Sequence, residues 1–206
     1  MGERAFFDDE ARRRTTETVQ AIELRTSAEV VVTVRHRADA HRRAIVLAGA
    51  ASGALVLAVT LLSPTVYPAV FMPLDAALGF ALGALLAWRL PLLRRLFVPR
   101  PARRSATSAA ARAAFAELGI EKTSGRTGLL VYAALFERDV ELVPDVGLEG
   151  EALAAGLEAV RARLAEAVAR RDLEAFLEAL GSLAPLLEST HPRSEDDVNE
   201  LCDAPV

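Results

Sequence analysis

Two long stretches without charge stand out against a chain that is otherwise amphipathic. Ala44 to Leu62 (AIVLAGAASGALVLAVTLL) is 19 residues with no ionisable group, about 28 Å long as a helix and enough to span a hydrocarbon core. A second run, from about Ala69 to Trp88, has Asp75 as its only ionisable residue. The link between them, SPTVYP, is short and rich in turn formers. The pattern predicts a two-helix transmembrane hairpin. Two buried core helices would read the same way, but a domain of this size rarely hides two such runs. The first run begins 43 residues in, after a charged segment, so it is not a cleavable signal peptide.

Orientation follows from the arginines. Arg35, Arg37, Arg42 and Arg43 precede the first run, and Arg89, Arg94, Arg95, Arg100, Arg103 and Arg104 follow the second; the link has none. Positive charge stays on the cytoplasmic side, so the chain is expected as a multi-pass protein of the inner membrane with both termini cytoplasmic. The same arginines would meet anionic lipid headgroups. Each run carries a pair of glycines four apart, Gly49 with Gly53 and Gly79 with Gly83, at equal depths from the cytoplasmic ends. Small residues let helices approach closely in lipid, so these four are the expected helix–helix contact, although glycine is also simply common in membrane helices. Asp75, after Pro73 at a helix end, reads as an interfacial residue rather than an intramembrane site.

The flanks have a different period. Asp8 to Leu24 places Ala11, Val19 and Ile22 at helical spacing with acids in the first turn. The nearly continuous Val30, Val31, Val32 and Val34 predict a strand covered on both faces. Beyond the hairpin, Ser105 to Leu118 predicts a helix ending at Gly119. Leu129 to Phe136 and the run around Val140 and Leu142 predict a β-hairpin turning at Glu137, Arg138 and Asp139. Leu153, Leu157, Val160, Leu164 and Val168 mark a helix over about 151–171, and Phe176, Leu177, Leu180 and Leu183 another over about 173–188. The expected architecture is α/β: a small mixed sheet between helices, βαβ plus an antiparallel hairpin, interrupted by the two-helix transmembrane hairpin. The parts are 1–43 and 105–188 as two halves of one domain, 44–90 as the hairpin, 91–104 as a basic juxtamembrane segment and 189–206 as an irregular tail.

Composition narrows the function classes. The net charge of −4 hides an asymmetry: residues 105–206 carry 9 basic and 19 acidic groups. Phosphate-backbone binding needs a basic face, so nucleic acid is not an expected partner; a membrane or cytoplasmic protein is. The one cysteine, Cys202, cannot form an internal disulfide or a thiolate metal site. No phosphate-binding loop, dinucleotide fingerprint, HExxH or GxSxG is present. His36, His41 and His191 are scattered, and the acid cluster Glu195, Asp196, Asp197 lacks the glycine and alternate spacing of a calcium loop.

TSAEVVVTV after an amphipathic helix, then GRTGLLVYAALFERDVELVPDVGL before two more, resembles the TPM domain family, also called the TPM phosphatase family, in its membrane-inserted bacterial version. The resemblance covers nearly all of the sequence outside the two apolar runs, and the segment around Glu137 and Arg138 is its most specific part. It implies an α/β sandwich and, from some plant members, acid phosphatase activity. The segment after the third strand, PDVGLEG, keeps Asp145 and Glu149 but lacks the glycine the secreted members place before Asp145 and their later Asp.

Two readings follow. In one, the domain is an accessory or interaction module at the membrane surface. In the other it is a divalent-metal-dependent hydrolase resembling an acid phosphatase, with Glu29, Asp145 and Glu149 as hard oxygen ligands to Mg or Ca and Arg126 holding a phosphate through two parallel hydrogen bonds. The first reading instead has Glu29 at the start of a strand, Asp145 and Glu149 in a solvated turn, and Arg126 paired with one of them. Geometry discriminates: carboxylates converging on an open pocket favour metal, and carboxylates paired with arginine do not.

Overall fold

A computed structural model describes residues 6–36, 40–63, 68–90 and 100–193. The link 64–67, most of the basic segment (91–99), and the tail from 194 with its acid cluster and Cys202 lie outside the described residues. The chain divides into two compact units, one built from residues 1–38 and 104–206 and the other from 39–103.

The first unit is a three-stranded sheet in the order β1-β2-β3, from β1 (Glu29–Arg35), β2 (Gly128–Ala134) and β3 (Asp139–Pro144). β1 and β2 are parallel, in register from Glu29 opposite Gly128 to Arg35 opposite Ala134; β3 returns antiparallel, from Asp139 opposite Ala134 to Pro144 opposite Leu129. Every residue of the central strand β2 is buried, which explains why its sequence is a continuous apolar run rather than an alternating one.

α1 (Asp9–Glu23) starts where the Asp8 carboxylate caps the Ala11 N–H at 2.7 Å, with Asp9 and Glu10 in its positive first turn. Val19 and Ile22 join Val30, Val32, Leu129, Val131 and Val140 in one apolar cluster. α5 (Glu151–Arg170), α6 (Leu173–Gly181) and α7 (Leu183–Glu188) complete that cluster with Leu164, Phe176, Leu180, Leu183 and Leu187. Each such side chain contributes about 1.5–3 kcal/mol on burial. The opposite sheet face is buried as well, at Val31, Leu130 and Tyr132. α4 (Arg100–Glu117), which precedes β2, carries a buried stripe of small residues, Thr107, Ala111 and Ala114, at helical spacing.

Three elements depart from the expectations. α4 starts at Arg100 rather than Ser105, because Pro101 fits the first helical turn, where no amide is needed. The helix expected over 173–188 is two, broken at Ser182: Pro185 has no N–H to return to Gly181, and the Ser182 hydroxyl donates to Ala179 O at 2.6 Å in the last turn of the first. The β2–β3 turn spans 135–138 rather than 137–139: β2 stops at Ala134, Asp139 is already in β3, and Arg138 is left-handed at φ 53°.

The second unit is a helical hairpin of α2 (Ala40–Leu62) and α3 (Met72–Arg89). The two run antiparallel: Gly49 lies against the Phe80 ring, Gly53 against Ala76 O, Gly79 against Val56, and Gly83 against Ser52 and Ala48 O. A methyl group at any of the four would fall within 2.4–2.9 Å of the facing helix. The four glycines therefore sit in the helix contact, interleaved with the neighbour's larger side chains rather than meeting one another. Among the described residues one stretch, Ala44–Leu62, is long and apolar enough to cross a membrane, with mean hydropathy 2.4 and 17% of its apolar window buried.

Candidate functional site

Because β1 and β2 are parallel and β3 antiparallel, one end of the sheet collects the starts of β1 and β2 and the end of β3. Glu29, Thr127 and Asp145 meet there through the backbone: Glu29 N–H donates to Thr127 O at 3.2 Å and Asp145 N–H to Gly128 O at 2.8 Å. The four residues singled out for chemistry, Glu29, Arg126, Asp145 and Glu149, all belong to this end.

Its centre is a two-pronged ion pair. Arg126 Nε donates to Asp145 Oδ2 and Arg126 Nη2 to Asp145 Oδ1, both at 2.8 Å. The Val146 N–H adds a third bond to Oδ1, also 2.8 Å. The members are unequal: the Asp145 side chain is 3% exposed and that of Arg126 49%. The guanidinium holds the Asp145 carboxyl below its ordinary range, against burial, which pulls upward; the Val146 N–H adds to the lowering. The carboxylate in turn raises Arg126.

The backbone is bent to make this pair. Arg126 sits in the left-handed region at φ 54°, held by its N–H to Thr123 O (3.0 Å) and by Gly147 N–H donating to Arg126 O (2.8 Å). Gly147 cannot be replaced cheaply, since a Cβ there would lie 2.4 Å from Arg126 O and 2.5 Å from Gly125 O. The His191 ring, through Nε2, pairs with Gly147 O at 2.9 Å. The backbone around His191 fastens to the turn before β1: Thr26 Oγ1 and Ser27 N–H both donate to His191 O, at 2.6 and 3.1 Å, and Thr26 bridges to Pro192.

This arrangement pairs one of the expected ligands, Asp145, with an arginine. Asp145 directs both oxygens to Arg126 and a backbone amide, Glu29 is buried at the first position of β1, and Glu149 is exposed after the turn. Among the described residues no group of three or more His, Cys, Asp or Glu is placed to hold a metal ion. The physical reason is charge balance: the cation that neutralises Asp145 is already supplied by Arg126, whose fork is then spent on the carboxylate rather than on a phosphate. A cavity of about 40 Å³ lined by Phe6, Phe7, Val34 and Phe176, and a groove of about 150 Å³ between Leu142, Pro144, Leu157 and Arg161, include none of the four residues.

Sequence reasoning missed the clasp made by residues 190–193, which it read as the start of an irregular tail. It also missed Arg161, whose side chain bridges Glu158 on its own helix to Asp139 and Val140 O on β3. No local pattern announces either contact; the partners are 165 and about 20 residues away.

No protein-family model and no curated protein matches the chain. Among solved structures it is similar to the NMR structure of BA42 protein from the psychrophilic bacterium Bizionia argentinensis sp. nov. The TM-score is 0.57 at 12% identity, with 96% of this chain and 92% of that chain covered. At that identity the likeness is one of fold.

Proposed function

We propose that the chain is a TPM-like α/β domain anchored in the inner membrane by α2 and α3, faces the cytoplasm, and works as an accessory or interaction module at the membrane surface. The observation that carries this reading is the outward face of the α2–α3 hairpin. Leu47, Leu55, Val59 and Leu61 on α2, and Leu78, Leu82 and Leu85 on α3, are all exposed. Monomeric soluble proteins rarely leave a contiguous apolar surface of that kind in water, whereas lipid covers it at no cost. α2 is the described helix that meets the length and hydropathy of a span. α3 has 18 residues with Asp75 in its first turn and Arg89 in its last, and it crosses as the packed partner of α2. The arginines on both sides of the hairpin and their absence from the link support a cytoplasmic placement of both termini.

The metal-dependent phosphatase reading has no comparable support, because its central carboxylate is satisfied by Arg126 and its three carboxylates form no metal cluster. The test is protease accessibility combined with alkaline carbonate extraction of membranes. The protein stays in the pellet, and trypsin cleaves the domain in inside-out vesicles but not in intact cells. Release by carbonate refutes anchoring; cleavage with the reverse sidedness refutes the orientation.

A further inference from the structure

We propose that Trp88 and Arg89, at the C-terminal end of α3, form a clamp for the phosphate of an anionic phospholipid. The inference deepens the membrane reading above and rests on it. Arg89 stands with its guanidinium carbon 5.2 Å from the centre of the Trp88 ring. Both side chains are exposed, Trp88 at 54%. Among the described residues no carboxylate lies within ion-pairing distance of Arg89, although most other arginines of known surroundings in this chain have one: Arg13, Arg14, Arg25, Arg126 and Arg161 are all paired.

The geometry favours an oxyanion. A guanidinium over an indole keeps its N–H donors unspent by the ring, and an exposed one can offer a phosphodiester two parallel hydrogen bonds. The indole itself prefers the boundary between headgroup and acyl chains. α3 ends here, with Leu90 already extended, so the clamp sits where a spanning helix would leave the hydrocarbon. A zwitterionic headgroup carries its own cation beside the phosphate and leaves Arg89 less well compensated than an anionic one, which gives the preference its sign.

Trp88 is the one tryptophan in the chain and reports on its own neighbours. The full-length protein is reconstituted into vesicles of mixed phosphatidylcholine and phosphatidylglycerol in which one or the other lipid carries brominated acyl chains that quench indole fluorescence on contact. The expected result is quenching by both, with a preference for phosphatidylglycerol to which Arg89 contributes about fivefold, the effect of one basic residue at an anionic surface. In Arg89→Gln the preference falls by about that factor, to the level set by the other arginines flanking the hairpin, while quenching persists. Equal quenching by the two lipids in the unmodified protein overturns the clamp and leaves the anchor standing. No quenching by either lipid overturns both. Inorganic phosphate is added in parallel with chloride at matched ionic strength. If phosphate abolishes the preference and chloride does not, the site is one for free phosphate and the lipid assignment is wrong.

Discussion

The unequal burial of Arg126 and Asp145 predicts that removing the exposed partner does more harm than removing the buried one. In Arg126→Ala the Asp145 carboxylate, 3% exposed, keeps its bond from the Val146 N–H and loses both bonds from the guanidinium. Stranding a buried charge in this way costs about 3–5 kcal/mol in a dry interior, and about 2–3 kcal/mol here, because the side vacated by the half-exposed arginine opens to water. In Asp145→Ala the guanidinium that is released turns to solvent, and the loss is about 1 kcal/mol for the hydrogen bonds surrendered. The backbone adds no difference, since alanine at φ 54° is as strained as arginine. At about 2–4 °C per kcal/mol for a chain of this size, the melting temperature falls by about 4–12 °C in the first variant and by about 2–4 °C in the second.

The pH dependence separates this reasoning from generic damage. In the unmodified protein Asp145 titrates below its unfolded value of about 3.9. Its contribution is therefore fully present above that value and is lost as pH falls through the lower folded one. In Arg126→Ala the lowering partner is gone and burial raises Asp145 instead. The penalty is then present at neutral pH and relieved as pH falls through the raised value, where protonation removes the stranded charge. Calorimetric melting of the detergent-solubilised chain from neutral pH downward should show the Arg126→Ala deficit narrowing first, with the Asp145→Ala deficit still flat. Equal deficits in the two variants, or an Arg126→Ala deficit that does not narrow on acidification, would refute the account of this pair.

Gly83→Leu places a side chain where even a Cβ would lie 2.4 Å from Ser52 Cβ and 2.8 Å from Ala48 O, so α2 and α3 must separate. Spin labels on the exposed Ala58 and Ala77 should report a longer and broader distance, and an unchanged distribution would remove the glycines from the contact. Arg138→Gly should stabilise the first unit, because the residue is exposed and left-handed in the β2–β3 turn. Relief of about 1–2 kcal/mol of strain, less the extra unfolded-state entropy of glycine, leaves a gain of about 0.5–1 kcal/mol, read as a higher melting temperature.

The elements that the sequence made legible are those whose signal is local and periodic. The valines of β1, the unbroken apolar run of β2 and the Leu153–Val168 face of α5 each fix an element by what it must bury, and the strand directions then follow from the connections. The failures are equally local in origin. The leucines across Ser182 keep helical spacing through Pro185, so the hydrophobic pattern hides a missing amide. Pro101 lies in an arginine-rich stretch whose composition points to a linker, yet it marks a helix start. At the sheet end, pattern could bring Glu29, Arg126 and Asp145 to one place through strand topology, but could not choose between convergence on a metal and pairing with one another. That choice depends on the left-handed backbone at Arg126 and on the absence of a side chain at Gly147, which together bring the guanidinium to Asp145 across 19 residues of sequence.

The insertion point of the hairpin has its own logic within the first unit. The chain leaves the sheet at the carboxyl end of β1, where the ladder continues past the strand itself: Leu135 N–H donates to Arg35 O at 3.0 Å and Phe136 N–H to His36 O at 3.1 Å. The β1–β2 pairing is therefore complete up to the departure point. A long excursion between two strands adds little to the cost of closing them, roughly 0.6 kcal/mol for each doubling of loop length. An antiparallel helix pair also tends to bring its two ends back together, so it stretches the crossover less than a single span would. The opposite end of the sheet carries none of this traffic. There Arg126–Asp145, Gly147 and the His191 clasp tie the starts of β1 and β2 to the end of β3 and to the last described turn.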